Sequence, residues 1–81
     1  MAEPTLKQLR YFDVLARLGH FGRAAEVCAI SQPAISVQIK ELERTLGTPL
    51  FERGARQVRL TRAGEDLLPR ARHILERVDD L

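Results

Sequence analysis

The segment Ser31-Gln32-Pro33-Ala34 opens a run in which Ile35, Ile39, Leu42 and Leu46 recur at helical spacing. With those four turned inward, a rotation of about 100° per residue puts Pro33, Val37, Lys40 and Arg44 on the opposite face. Ala34 and Ser36 flank that face, and Gln32 hangs from its N-terminal tip. A primary amide both donates and accepts, so Gln32 suits a base edge in the major groove, adenine best, while Val37 or Ala34 suits a thymine methyl. Pro33 needs no amide partner in a first helical turn and stiffens the tip. Lys40 and Arg44 repel each other mildly in isolation, and phosphates would convert that repulsion into attraction. The plainer alternative is a capped surface helix, since Ser-x-Pro is ordinary capping chemistry and basic residues are common on solvated faces.

A second basic cluster follows. Arg53, Arg56, Arg59 and Arg62 fall within ten residues that contain no acid. Basic residues on an edge strand also serve to block aggregation. On a hairpin tip beside a groove-sized helix, however, a one-sign cluster fits the narrow, strongly negative minor groove. Arg56 at the turn is the residue expected to enter it; Arg53 and Arg62 are expected at phosphates, and Arg59 is equally readable as a strand surface residue.

Other chemistry finds little support. His20 and His73 lie far apart, one cysteine and two scattered histidines do not make a zinc site, and no Ser, His and acid arrangement is suggested. No catalytic residues, metal site or cofactor are predicted. Cys28 reads as a small apolar residue of a helix. The pairs Glu65-Asp66 and Asp79-Asp80 read as solvated charges on a helix flank.

These groups need elements to hold them. Thr5 with Gln8 forms a capping box for a first helix from about Leu6 to Leu18, closed by Gly19. That helix is apolar on two sides: Leu9, Phe12 and Ala16 share one, Tyr11, Val14 and Leu18 the other. It must therefore pack between two things. A short helix from about Phe21 to Cys28 follows, with Ala24-Ala25 permitting close approach, and Ala29-Ile30 turns the chain into a helix from Gln32 to Leu46, capped by Ser31 and ended by Gly47. This is a helix-turn-helix outline, although the turn lacks the usual glycine. Two short alternating runs around Gly54 then predict a hairpin, the wing. Thr61 caps a last helix with a stripe of Ala63, Leu67, Ala71, Ile74, Val78 and Leu81, widened by Leu68 and Leu75. So long a stripe predicts a homodimer contact through Leu67, Ala71, Ile74, Leu75, Val78 and Leu81, with Val14 and Leu18 of the first helix joining it and covering part. Pro69 predicts a kink there, or a helix held straight by packing.

The fold expected is mainly α with a small β-hairpin: a winged helix-turn-helix over residues 1–61, then a long linker and dimerisation helix over residues 62–81. At 81 residues the chain has room for one modest core. Its net charge of +2 says little, but residues 32–62 carry six basic side chains against three acidic, and residues 63–81 three against five. A single cysteine excludes an internal disulfide and fits a reducing, cytoplasmic setting. No apolar run spans a bilayer, so no membrane partner is expected. The helical pattern runs to Leu81 without a stop signal, from which a longer parent protein is expected.

The stretch FGRAAEVCAISQPAISVQIKELERTLGTPLFERGARQVRLTRAGEDLL resembles the N-terminal DNA-binding domain and linker helix of the LysR-type bacterial transcriptional regulators. The matching motifs are Ala24-Ala25, Ser31-Gln32-Pro33-Ala34 with Ser36, Leu42-Glu43, Leu46-Gly47, Leu50-Phe51-Glu52-Arg53 and Leu60-Thr61 with Ala63-Gly64. The resemblance implies a dimer made through the linker helix, a tetramer in the full-length protein, interrupted inverted repeats in promoter DNA as target, and a small-molecule or redox effector sensed by a C-terminal domain absent from this chain. It implies base contacts at Gln32, Pro33, Ala34, Ser36 and Val37, a minor-groove wing at Arg56, and phosphate contacts at Arg23, Ser31, Ser36, Lys40 and Arg53; the arginine cluster itself adds Arg53 to the wing and Arg62 to the phosphate contacts. Gly22 departs from the pattern, since many members carry Ser or Thr there. The frame around Cys28 is similar to the peroxide-responsive, OxyR-like subgroup. The rival function is a winged-helix module for protein contacts that works through the apolar stripe of the last helix.

Overall fold

The computed structural model describes residues 2–54 and 57–81. Helix α1, Leu6–Leu18, begins as its capping box requires: Gln8 N–H donates to Thr5 Oγ1 at 3.0 Å, and Thr5 N–H donates to Gln8 Oε1 at 3.1 Å. Gly19 ends it in the left-handed region, at φ 69°. Helix α2, Phe21–Cys28, is capped by an imidazole, His20 Nδ1 accepting from Arg23 N–H at 3.2 Å. Helix α3, Gln32–Leu46, is capped by Ser31, whose Oγ accepts from Ala34 N–H at 3.2 Å. Between α2 and α3 the missing glycine is replaced by Ala29 itself, held left-handed at φ 57°, with Ile30 N–H donating to Ala25 O at 3.1 Å to close the turn. A side chain in that conformation costs about 1–2 kcal/mol relative to glycine's freedom, so the turn stores a little strain.

The wing is smaller than the alternating runs predict. Strand β1, Phe51–Glu52, pairs antiparallel with β2, Arg59–Leu60, in the register Phe51 to Leu60 and Glu52 to Arg59. Val58 N–H donates to Gly19 O at 2.9 Å, which ties the wing to the α1–α2 turn. Helix α4, Arg62–Asp79, starts at Thr61, whose Oγ1 accepts from Gly64 N–H at 3.1 Å and donates to Pro49 O at 2.7 Å. A Cβ at Gly64 would collide with the Leu50 carbonyl oxygen, so only glycine lets the first turn of α4 seat against the backbone just before β1.

Leu9, Phe12, Leu15, Ala24, Ala25, Ile35, Ile39, Leu42, Leu50, Phe51, Ala71 and Leu75 form one core. Phe12 and Phe51 meet in a tilted pair, ring centroids 5.5 Å apart. Helix α1 packs against α2, α3 and α4, which answers its two apolar sides. Two expectations are revised. Leu46, predicted inward, is 39% exposed because the last turn of α3 runs past the core. Ala71 and Leu75, assigned above to a second copy, are buried within the protomer among core residues that include those of α1. At Pro69, where a kink or a straight helix was expected, α4 runs on unbroken; the ring is exposed, and its missing N–H leaves the Glu65 carbonyl without its usual helical donor.

Candidate nucleic-acid interface

The tip of α3 is open. Gln32 and Pro33 are exposed, Ala34 and Ser36 half-buried, and Val37 keeps 54% of its surface in contact with solvent. Lys40 and Arg44 are exposed on the same face. The exposure therefore follows the pattern predicted from periodicity. Arg44 is engaged, however, in an ion pair with Glu41 one turn away. Gly22 sits directly under the tip: a Cβ there would lie 3.5 Å from Gln32 Oε1 and 3.1 Å from His20 Cε1.

Below the tip, Glu43 anchors the start of the wing. Its Oε2 accepts from Leu50 N–H at 2.7 Å and Phe51 N–H at 3.3 Å, while Oε1 accepts from Arg53 Nη2 at 3.3 Å. The Arg53 guanidinium also stands 5.2 Å from the centre of the Phe21 ring. Arg53 was grouped above with the DNA-contacting arginines; here its charge is engaged by Glu43 and Phe21, because the amides of Leu50 and Phe51, beyond the end of α3, hold the Glu43 carboxylate within its reach. Sequence reasoning missed Glu43. The available signal was the pair of amides just after α3 that need an acceptor once the chain turns. Arg56 lies outside the described residues. Arg23, Lys40, Arg59 and Arg62 are exposed and take part in no ion pair among the described residues.

Two further features bear on chemistry. Burial pushes the Cys28 thiol up from its ordinary pKa, which keeps it protonated and a poor nucleophile near neutrality. Gln8, read from the sequence only as the capping-box partner of Thr5, is buried and also donates through Nε2 to Gln38 Oε1 at 3.2 Å, a polar link from α1 to α3. Of the predicted dimer residues, Ile74 and Leu81 are exposed, Leu67 and Val78 half-buried, and Val14 and Leu18 half-buried against the core. Among the described residues no group of three His, Cys, Asp or Glu side chains could hold a metal ion, and no helix is long and apolar enough to cross a membrane.

The family described as bacterial regulatory helix-turn-helix protein, lysR family, matches residues 6–65. The SDS degradation transcriptional activation protein of a Pseudomonas species is 52% identical over 71 residues, covering 88% of this chain and 23% of that protein. The oxidized form of Corynebacterium glutamicum OxyR superposes with a TM-score of 0.94 at 46% identity, over 98% of this chain and 24% of that one. The BenM DBD in its complex with benA site 1 DNA superposes with a TM-score of 0.91 at 39% identity, over 94% of this chain and 85% of that one. The chain spans less than half the length of the curated relatives it matches.

Proposed function

The chain belongs to the lysR family of bacterial regulatory helix-turn-helix proteins, and from that premise we propose that it binds promoter DNA as the winged helix-turn-helix portion of a transcriptional regulator. In this reading α3 enters the major groove tip-first, with Gln32, Pro33, Ala34, Ser36 and Val37 at base edges. Arg23, Ser31, Lys40 and Arg62 meet phosphates, and the wing, with Arg56 at its turn, reaches the adjacent minor groove. Two copies joined through Leu67, Ile74, Val78 and Leu81 of α4 read an interrupted inverted repeat. The complete regulator works in the cytoplasm, assembles further to a tetramer and takes its effector, small-molecule or redox, through another domain. The observation that carries the reading is the α3 tip, where Gln32 presents a primary amide that has no partner among the described residues, beside a face with an exposed valine and a lysine in no ion pair among them. The DNA complex of the structurally similar BenM DBD supports it, and the likeness to OxyR is consistent with the peroxide-responsive resemblance.

The test is binding to duplexes selected from a random-sequence pool. Affinity is expected to fall with added salt at a slope near −0.9 per phosphate contacted. Gln32→Ala is expected to cost about 1–3 kcal/mol on the selected sequence and to relax preference at one base pair in each half-site. Equal losses on selected and random duplex would mean that Gln32 only positions the backbone. A shallow salt response without sequence preference would instead favour a module for protein contacts.

A further inference from the structure

The charges between α1 and α4 are arranged differently from those near the α3 tip. Asp13 is the least exposed acid there, its side chain 14% accessible, and each of its carboxylate oxygens has its own arginine. Arg17 Nη2, one turn along α1, donates to Oδ2 at 3.1 Å and pins the rotamer. Arg72 Nε, from α4, donates to Oδ1 at 2.8 Å. A second pair of opposite polarity, Arg10 Nη2 to Asp79 Oδ1 at 2.9 Å, closes the same antiparallel seam. Beneath them the seam is apolar, formed by buried Ala71 and Leu75, and apolar contact alone is non-directional.

Resting on the dimer reading given above, we infer that Asp13 with Arg72 is a positioning device: it holds α4 at one offset on α1 and so determines which half-site separation the dimer accepts. Sliding α4 by one turn in one direction brings Glu76 to the place of Arg72, setting two carboxylates face to face. Sliding it the other way brings Leu68 there, leaving Asp13 without its interhelical donor. The pattern therefore opposes both neighbouring registers. One turn is a displacement of about 5.4 Å, more than the rise of one base pair, about 3.4 Å. If α4 carries the dimer contact, such an offset moves each α3 relative to the two-fold axis and is felt as a change in preferred spacing.

The experiment uses two copies of the selected half-site in inverted orientation, separated in single-base-pair steps across one helical turn of about 10 bp. The unaltered chain is expected to prefer one separation by about tenfold over a separation half a turn away, and Asp13→Asn and Arg72→Gln to flatten that preference to about threefold or less. Affinity for a duplex bearing a single half-site should stay unchanged in both. Arg72→Lys should restore most of the preference, and Arg17→Gln, which leaves the interhelical pair intact, should retain it. If Asp13→Asn fails to fold by circular dichroism, Arg72→Gln, at an exposed position, decides. A spacing profile as sharp in Arg72→Gln as in the unaltered chain overturns the inference, as does an unaltered chain that binds DNA without any spacing optimum. An unaltered chain without sequence-selective DNA binding overturns the proposed function instead.

Discussion

The tip of α3 and the joint where α3, the wing and α4 meet are both rich in polar groups, yet they treat them in opposite ways. At the joint, Glu43 accepts from Leu50, Phe51 and Arg53, and Thr61 both accepts from Gly64 and donates to Pro49. At the tip, the side chains of Gln32 and Lys40 have no such partner among the described residues, and Val37 stands in solvent beside them. Lys7, Arg70 and Arg77 also lack ion-pair partners among the described residues, so an unpaired charge does not by itself mark a binding face. The tip is marked by unpaired polar groups together with an exposed apolar one on a single helix face. Polar groups at the joint build the molecule, and those at the tip are available to something outside it.

That contrast predicts where stability resides. Gly64→Ala is expected to cost the most, about 3 kcal/mol, because the new methyl group collides with a backbone oxygen that cannot rotate away. Denaturant unfolding measures it, and a neutral result would mean that the joint can open. Glu43→Ala should follow at about 2 kcal/mol, since it leaves two backbone amides without their charged acceptor and releases Arg53. Ala29→Gly should raise stability by about 0.5–1 kcal/mol, the relief of left-handed strain exceeding the added freedom of the unfolded chain. Gln32→Ala should leave unfolding within about 0.5 kcal/mol of the unaltered chain while changing DNA selectivity. A loss of stability comparable to that of Glu43→Ala would erase the distinction between the two regions.

Much of the local structure was legible. The bounds of α1, α2 and α3 agree with those read from Thr5, Gly19, Cys28, Ser31 and Gly47, since capping groups act on amides and carbonyls within a few residues. The open face of α3 was legible for a similar reason, because side chains four apart share a face whatever surrounds them. The arginines were less so. Composition treats Arg53 as equal to Arg62, but Glu43 and Phe21 engage one, and the other enters no ion pair among the described residues. Periodicity likewise placed Ala71 and Leu75 with Ile74 and Leu81 on one stripe, and could not tell which part of it α1 covers.

The sequence by itself determined where α1, α2 and α3 begin and end, which face of α3 is polar, and which family the motifs resemble, because each of these depends on neighbours a few positions away along the chain. Only the tertiary structure decided which charges are free. Asp13 meets Arg72, and Glu43 meets the amides of Leu50 and Phe51, across turns whose direction no local rule specifies. A hydrogen bond forms only when its partners come within about 3 Å, and for groups so placed that distance is set by the packing of the whole core.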